Sequence, residues 1–261
     1  MKAIIIGLAL LWLGAQAVAQ SGSPDKDSLL EYFQRGQFHE AALYIAPFAA
    51  ARPGDLHLAA TLGYACYEGG DLPGAAACFQ RIYQADSTNP TACRYLGAIS
   101  LAQGNKPRAL AYFCRLADLK PGVVSTYRQL AQLWISMGNP QAGCYYYRLA
   151  YRSGGQRDPE IVSGLASGLI TQELFDEADS LLDAALARDS AQGEVLKTRI
   201  WSAYKQDHYT EIFPLVRKLT EMQDISLGPF LYAAIAYYQT HQYEQCKNIC
   251  MLMLLNHLNS R

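Results

Sequence analysis

The sequence predicts an all-α fold, a solenoid of about seven helix-turn-helix repeats, on three observations. A pattern recurs every 34 residues through nearly the whole chain. Each copy holds two apolar-periodic stretches with a breaker between them, such as Gly70-Asp71, Gly104-Asn105 or Gly138-Asn139. No stretch alternates apolar and polar residues with period two over a useful length, so no sheet is expected. Apolar residues at i, i+3, i+4 and i+7 within each stretch indicate amphipathic helices. One helix pair cannot bury both of its apolar faces, so neighbouring pairs must stack.

The first 19 residues read as a secretory signal peptide. Lys2 is the positive n-region, Ala3 to Leu13 is the apolar h-region, and Ala17-Val18-Ala19 is a small-residue cleavage site before Gln20. The alternative is an uncleaved anchor, but the apolar run is short for a span and Gln16 interrupts its end. Gln20 stands where a bacterial lipoprotein would carry cysteine. The leader resembles bacterial ones, so the expectation is export to the periplasm, or secretion, with no transmembrane segment left after cleavage.

The repeats follow in order. The clearest copy is Pro90 to Val123, with Leu96-Gly97, Gly104, Ala109, Phe113, Leu116 and Pro121 at repeat positions 7-8, 15, 20, 24, 27 and 32. The copy before it, 56–89, places Leu62-Gly63, Gly70, Ala75 and Phe79 alike, and the copy after it, 124–157, places Leu130-Ala131, Gly138, Gly143, Tyr147 and Ala150. One inserted residue near Arg157 or Asp158 shifts the next start to Pro159. There Leu165-Ala166, Leu169, Phe175, Ala178, Leu182 and Ala185 restore the register through 192. Copies at 193–226 and 227–260 are weaker, marked by Tyr209, Ile212 and Leu219, then by Ala233-Ala234, Tyr237, Tyr243 and Cys246. The opening copy, 22–55, keeps Gly36, Phe38, Ala41 and Pro53 but has a poor first helix. Residues 20–261 thus read as one array, with no Pro/Ser-rich linker to divide it. In each copy, small residues at positions 8 and 20 let the paired helices approach, and bulky ones at 4, 7, 11 and 24 fill the space between.

These residues at this period resemble the tetratricopeptide repeat (TPR) family. The resemblance implies a right-handed α-solenoid superhelix and a role in binding a protein or peptide. It also implies that repeat positions 2, 5, 9, 12 and 13 of the first helices face a concave groove. Carried over residue by residue, those positions hold Phe33, Tyr64, Tyr67, Trp201, Tyr204 and Tyr238, with the cations Arg94, Arg128 and Lys197 at position 5. Rigid aromatics and a few cations suit an extended or helical peptide with acidic groups. The bland reading is that they are solvated residues of a scaffold. The chaperone-type carboxylate clamp of the family is absent, because Lys at position 5 with Asn at position 9 is replaced by Arg94/Ala98, Arg128/Gln132 and Lys197/Trp201.

The last helix contains Cys250-Met251-Leu252-Met253-Leu254-Leu255. Such a run is apolar on every side, and no polar capping helix is evident. Met251, Leu252, Leu254 and Leu255 are therefore expected to form a docking patch, for a partner or for a second copy of the chain.

Charge and chemistry exclude other classes. The leader holds one of the 22 basic residues, leaving 21 against 23 acidic ones, a net charge of −2. That offers no electrostatic footprint for nucleic acid. Phosphate-loop, HExxH and CxxC motifs are missing, and Gly164-Leu165-Ala166-Ser167-Gly168 is not a nucleophile elbow, since its serine is misplaced. The chain is expected to be no enzyme and to need no cofactor. Its seven cysteines leave at least one thiol free or paired between chains. One pair among Cys66, Cys78 and Cys93 is close enough in the register to bridge, but the favoured reading is small buried packing residues. Cys246 and Cys250, with His241 and His257 nearby, fall at helix-packing positions and are read as that, not as a metal site. The expected function is a non-catalytic scaffold for a protein or peptide in the bacterial cell envelope. The alternative is an accessory small-ligand or glycan-binding protein using the groove aromatics, with Gln132, Glu68, Glu160 and Glu194 as the polar groups.

Overall fold

The computed structural model describes residues 23–259. The leader, residues 1–19, lies outside them. Fourteen α-helices make up the described residues, with a short 3-10 turn at Gly155–Arg157 and no strand. They come as antiparallel-sized pairs: α1 (Lys26–Gln34) with α2 (Phe38–Ala51), α3 (Leu56–Glu68) with α4 (Leu72–Ala85), and α5 (Pro90–Ala102) with α6 (Lys106–Leu119). Then follow α7 (Val124–Ser136) with α8 (Pro140–Arg152), α9 (Pro159–Thr171) with α10 (Phe175–Arg188), α11 (Gly193–Lys205) with α12 (Tyr209–Glu221), and α13 (Leu227–Gln239) with α14 (Tyr243–Asn259).

The helices gather into two compact units, one ending at Pro121 and the other beginning at Gly122. The absence of a linker-like composition gave no sign of that division. In the first unit each of α1 to α6 packs on the next. In the second, α7 to α14 do the same, and the first helices α9, α11 and α13 also pack on one another.

Local chemistry explains where several of the helices start. Asp55 accepts from the His57 and Leu58 amides at the head of α3, and Asn89, Asn105 and Asn139 cap α5, α6 and α8 in the same way. Pro90, Pro140 and Pro159 open α5, α8 and α9, where a missing amide costs nothing.

The turn inside every pair is closed by one recurring bond, from the third residue beyond the helix back to the carbonyl five residues earlier. Asn105 N to Ser100 O at 2.8 Å and Leu174 N to Leu169 O at 3.0 Å are examples. The geometry needs a left-handed residue. Gly36, Gly70, Gly104 and Gly138 supply it in the first four pairs, whereas Glu173, Asp207 and His241 adopt φ of 57–60° in the last three.

Within a pair, glycine at position 8 admits the aromatic at position 24. A Cβ on Gly97 would stand 3.0 Å from the Phe113 ring, which is fully buried. Ala41, Ala75, Ala109 and Ala178 at position 20 are also fully buried. Position 7 of the first helices is less uniform, with Ser28 in α1 and Ala233 in α13. It holds leucine in the pairs led by α3, α5, α7 and α9, but Arg199 in α11. Its guanidinium is 12% exposed and reaches Asp183 at 2.9 Å, Glu211 at 2.8 Å and Asp179 at 3.4 Å. Ser202 and Gln206 donate to the same Asp179 carboxylate, at 2.6 and 2.8 Å.

Candidate interaction surface on the first helices

The first helices of the first unit carry a continuous row of aromatic rings. Phe33 of α1 meets Tyr64 of α3 with centroids 5.6 Å apart, edge to face. Tyr64 meets Tyr95 of α5 at 6.2 Å, and Tyr67 meets the same Tyr95 at 5.3 Å. Tyr95 in turn stacks on Phe79 of α4 at 4.4 Å, which fixes the row to the core. Edge-to-face and stacked pairs of this kind hold each other's rotamers, so the row is rigid. Phe33, Tyr64, Tyr67 and Tyr95 are all partly buried, with one side left to solvent. Arg94 is exposed beside them, its guanidinium carbon 5.9 Å above the Tyr95 ring. Burial pushes the Tyr95 phenol above its ordinary value, with Arg94 pulling against it.

Tyr95 is the residue that sequence reasoning missed. It sits at repeat position 6, outside the groove positions, yet it joins three of the predicted residues. The adjacency of Arg94 to an aromatic was the only sign of it in the sequence.

The cations of the second unit are placed differently. Arg128 of α7 donates to Asp158 at 2.9 Å and lies 3.7 Å from Glu160. Gln132, one turn on, donates to Glu160 as well. Lys197 of α11 pairs with Glu194 at 3.0 Å and with Asp224, just before α13, at 2.8 Å. Burial would lower the Lys197 ammonium, but its bonds to Asp224 and Glu194 outweigh that and raise it. Burial likewise pushes the Asp224 carboxyl up, and Lys197 brings it below the usual carboxylate range. Arg128 and Lys197 are thus ties from one first helix to the head of the next, α7 to α9 and α11 to α13. An acidic ligand would have to displace carboxylates already in place. Of the three position-5 cations, Arg94 alone has its charge turned to solvent and not to a carboxylate among the described residues.

The second-unit aromatics are dispersed. Trp201 packs against the core formed by α9 and α10. Tyr204 stacks on Tyr232 at 4.4 Å. Tyr238 is exposed and meets Tyr243 of α14 at 5.7 Å.

In α14 the expected patch loses one member. Leu252 is partly buried and packs with Ile249 and Met253 against the core that includes Ile212 and Phe230. The helix stripe facing that core takes 249, 252 and 253, leaving Met251, Leu254 and Leu255 more than half exposed. None of the seven cysteines is joined in a disulfide. Burial pushes Cys66 up to about 11. Among the described residues no helix is long and apolar enough to cross a membrane.

No protein-family model matches the chain, and no curated protein does. Solved structures do. The C-terminal part of a TPR repeat-containing protein from Cytophaga hutchinsonii superposes with a TM-score of 0.72 at 14% identity, covering 88% of this chain and 95% of that one. The chain has the tetratricopeptide-repeat fold. Two further TPR-fold relatives agree. YrrB, described as a TPR protein with an unusual peptide-binding site, matches at a TM-score of 0.61 and 14% identity over 69% of this chain and 92% of its own. PilF of Pseudomonas aeruginosa matches at 0.61 and 16% over 88% and 98%. Identities this low speak for the TPR fold alone.

Proposed function

We propose that the chain is a non-catalytic TPR scaffold that binds a protein or peptide in the bacterial cell envelope. The observation that carries this reading is the ring row Phe33–Tyr64–Tyr95 with Tyr67 and the solvent-facing Arg94 beside it. Three successive first helices contribute to it. Pre-ordered aromatics lose little freedom on contact, and a solvent-facing arginine at their edge supplies direction. A segment carrying an aliphatic or aromatic anchor next to a carboxylate has the matching chemistry. YrrB, of the same fold, is described as binding peptide, which supports the reading without deciding the site. Met251, Leu254 and Leu255 form a second contact surface in this reading, for the same partner or for another copy of the chain.

Export rests on the leader. It requires that the chain recovered from the envelope begins at Gln20.

The test is recovery of partners from envelope extract with the mature chain, beside Tyr64→Ser and Arg94→Glu variants. A stoichiometric protein that the wild type retains and both variants lose supports the scaffold. A partner retained equally by all three places binding elsewhere. A glycan-array signal with no protein partner favours the glycan reading instead.

A further inference from the structure

A cleft of about 250 Å³ opens between the second helices of the first two pairs, and none of its lining residues belongs to the aromatic row. Its walls include Ala46 and Ala49 of α2, Leu62 of α3, and Ala77, Cys78 and Arg81 of α4. Every lining residue but Arg81 is apolar or small.

Arg81 is the anomaly. Its Nε and Nη2 are buried, yet nothing among the described residues accepts a hydrogen bond from either. These atoms lie on one edge of the guanidinium, the edge that a carboxylate bridges with two parallel bonds. α2 has no acidic residue after Glu40, and α4 has none at all. Burying two charged donors without acceptors is costly, and native proteins seldom retain such a pair without a use. Arg81 also pulls the Cys78 thiol downward against the larger upward effect of burial, which puts the guanidinium beside a residue of the cleft wall.

We propose that this cleft is a binding site for a short aliphatic carboxylate, with Arg81 as its anion receptor. The alanine walls take the hydrocarbon part, and the cleft holds about one amino-acid side chain, smaller than a drug-sized site. An entering carboxylate exchanges the acceptorless burial of Nε and Nη2 for two charge-assisted hydrogen bonds. A small turn of the Arg81 side chain presents that edge to the cleft. The chemistry is shared by a free short-chain acid and by a glutamate side chain of a partner protein. The site stands apart from the first-helix surface and does not depend on it.

The experiment follows the Arg81 Nε–H signal of the mature chain by nitrogen-15 NMR. The probes are butyrate, the blocked peptide acetyl-Ala-Glu-Ala-amide, and n-butanol as the uncharged control, each up to about 10 mM, the range of weak single-site binding. Butyrate moving the signal while butanol does not supports the free-acid source. Movement by the peptide alone supports the side-chain source. In Arg81→Gln the surrounding amide shifts should require roughly tenfold more probe. Arg81→Lys, which keeps the charge without the fork, checks the result if the glutamine variant loses helicity, and it too should bind more weakly. No movement with either carboxylate, equal movement with butanol, or undiminished binding in a folded Arg81 variant overturns the assignment.

Discussion

Arg128 donates from Nη1 to one carboxylate oxygen of Asp158 at 2.9 Å, while the other oxygen accepts from the Glu160 amide at the head of α9. One carboxylate thus ends the preceding helix pair's tie and starts the next helix. Asp158→Ala should cost about 1–2 kcal/mol, since it removes an N-cap as well as an ion pair. Arg128→Ala removes only a partly exposed pair and should cost about 0.5 kcal/mol. Urea unfolding of both variants measures the difference, and equal losses would discount the cap.

Arg94 and Arg128 share a repeat position but not a role. Arg94→Glu is expected to leave the thermal midpoint unchanged and to weaken capture of the partner about tenfold, as loss of one charge-assisted contact does. Arg128→Glu places a carboxylate against Asp158 and Glu160, so its main effect should be a lower midpoint. Calorimetry and partner binding on the two variants separate these outcomes; the reverse assignment of effects would sink the proposed surface.

In α14, Leu252→Ala should destabilise by about 1–2 kcal/mol, less than a fully buried leucine because it is only partly covered. Leu255→Ala, at an exposed position, should stay within about 0.5 kcal/mol. If the exposed side chains meet a second copy, Met251→Glu with Leu255→Glu will sediment more slowly than the wild type. A monomeric wild type removes self-association from the account.

Gly97→Ala places a methyl group 3.0 Å from the fully buried Phe113 ring, which must shift to admit it. A cost of about 1–3 kcal/mol is expected. Glu173→Gly should act in the opposite sense, because a left-handed glutamate is strained by about 1 kcal/mol relative to glycine. Thermal melts of the pair decide both signs.

Acid should loosen the tie between α11 and α13. The Asp224 carboxyl is held below its unfolded value, so its contribution is present above that value, about 3.9, and is lost as pH falls through the lower folded one. Asp224→Asn should flatten that part of the stability profile. An unaltered acid limb would show that the Lys197 contact contributes nothing.

The helix pairs were legible in the sequence because glycine announces its own backbone geometry, as at Gly70, Gly104 and Gly138. Glu173, Asp207 and His241 do the same work without such a mark, and only the 34-residue register points to them. The surface was less legible. Arg128 and Lys197 look like available cations in their own repeats, yet their partners Asp158 and Asp224 stand far along the chain, at the approach to the next first helix. Tyr95 was hidden for a related reason: its position faces the core in one direction and the aromatic row in the other. Leu252 and Leu255 are indistinguishable by composition, and only the angle of α14 against α13 sorts them.

Arg199 sets a limit on how freely the units of this array can be exchanged. Most first helices carry leucine at its position, and such a helix could be copied to another place and still meet an apolar neighbour. The α11 helix cannot. Moved elsewhere, it would bring a guanidinium into a wall without Asp179 and Asp183 from the preceding pair, a mismatch of about 3–5 kcal/mol. Duplication or shuffling of this segment therefore succeeds only when α10 travels with α11 and α12. The smallest heritable module here is a helix triplet that crosses the formal repeat boundary.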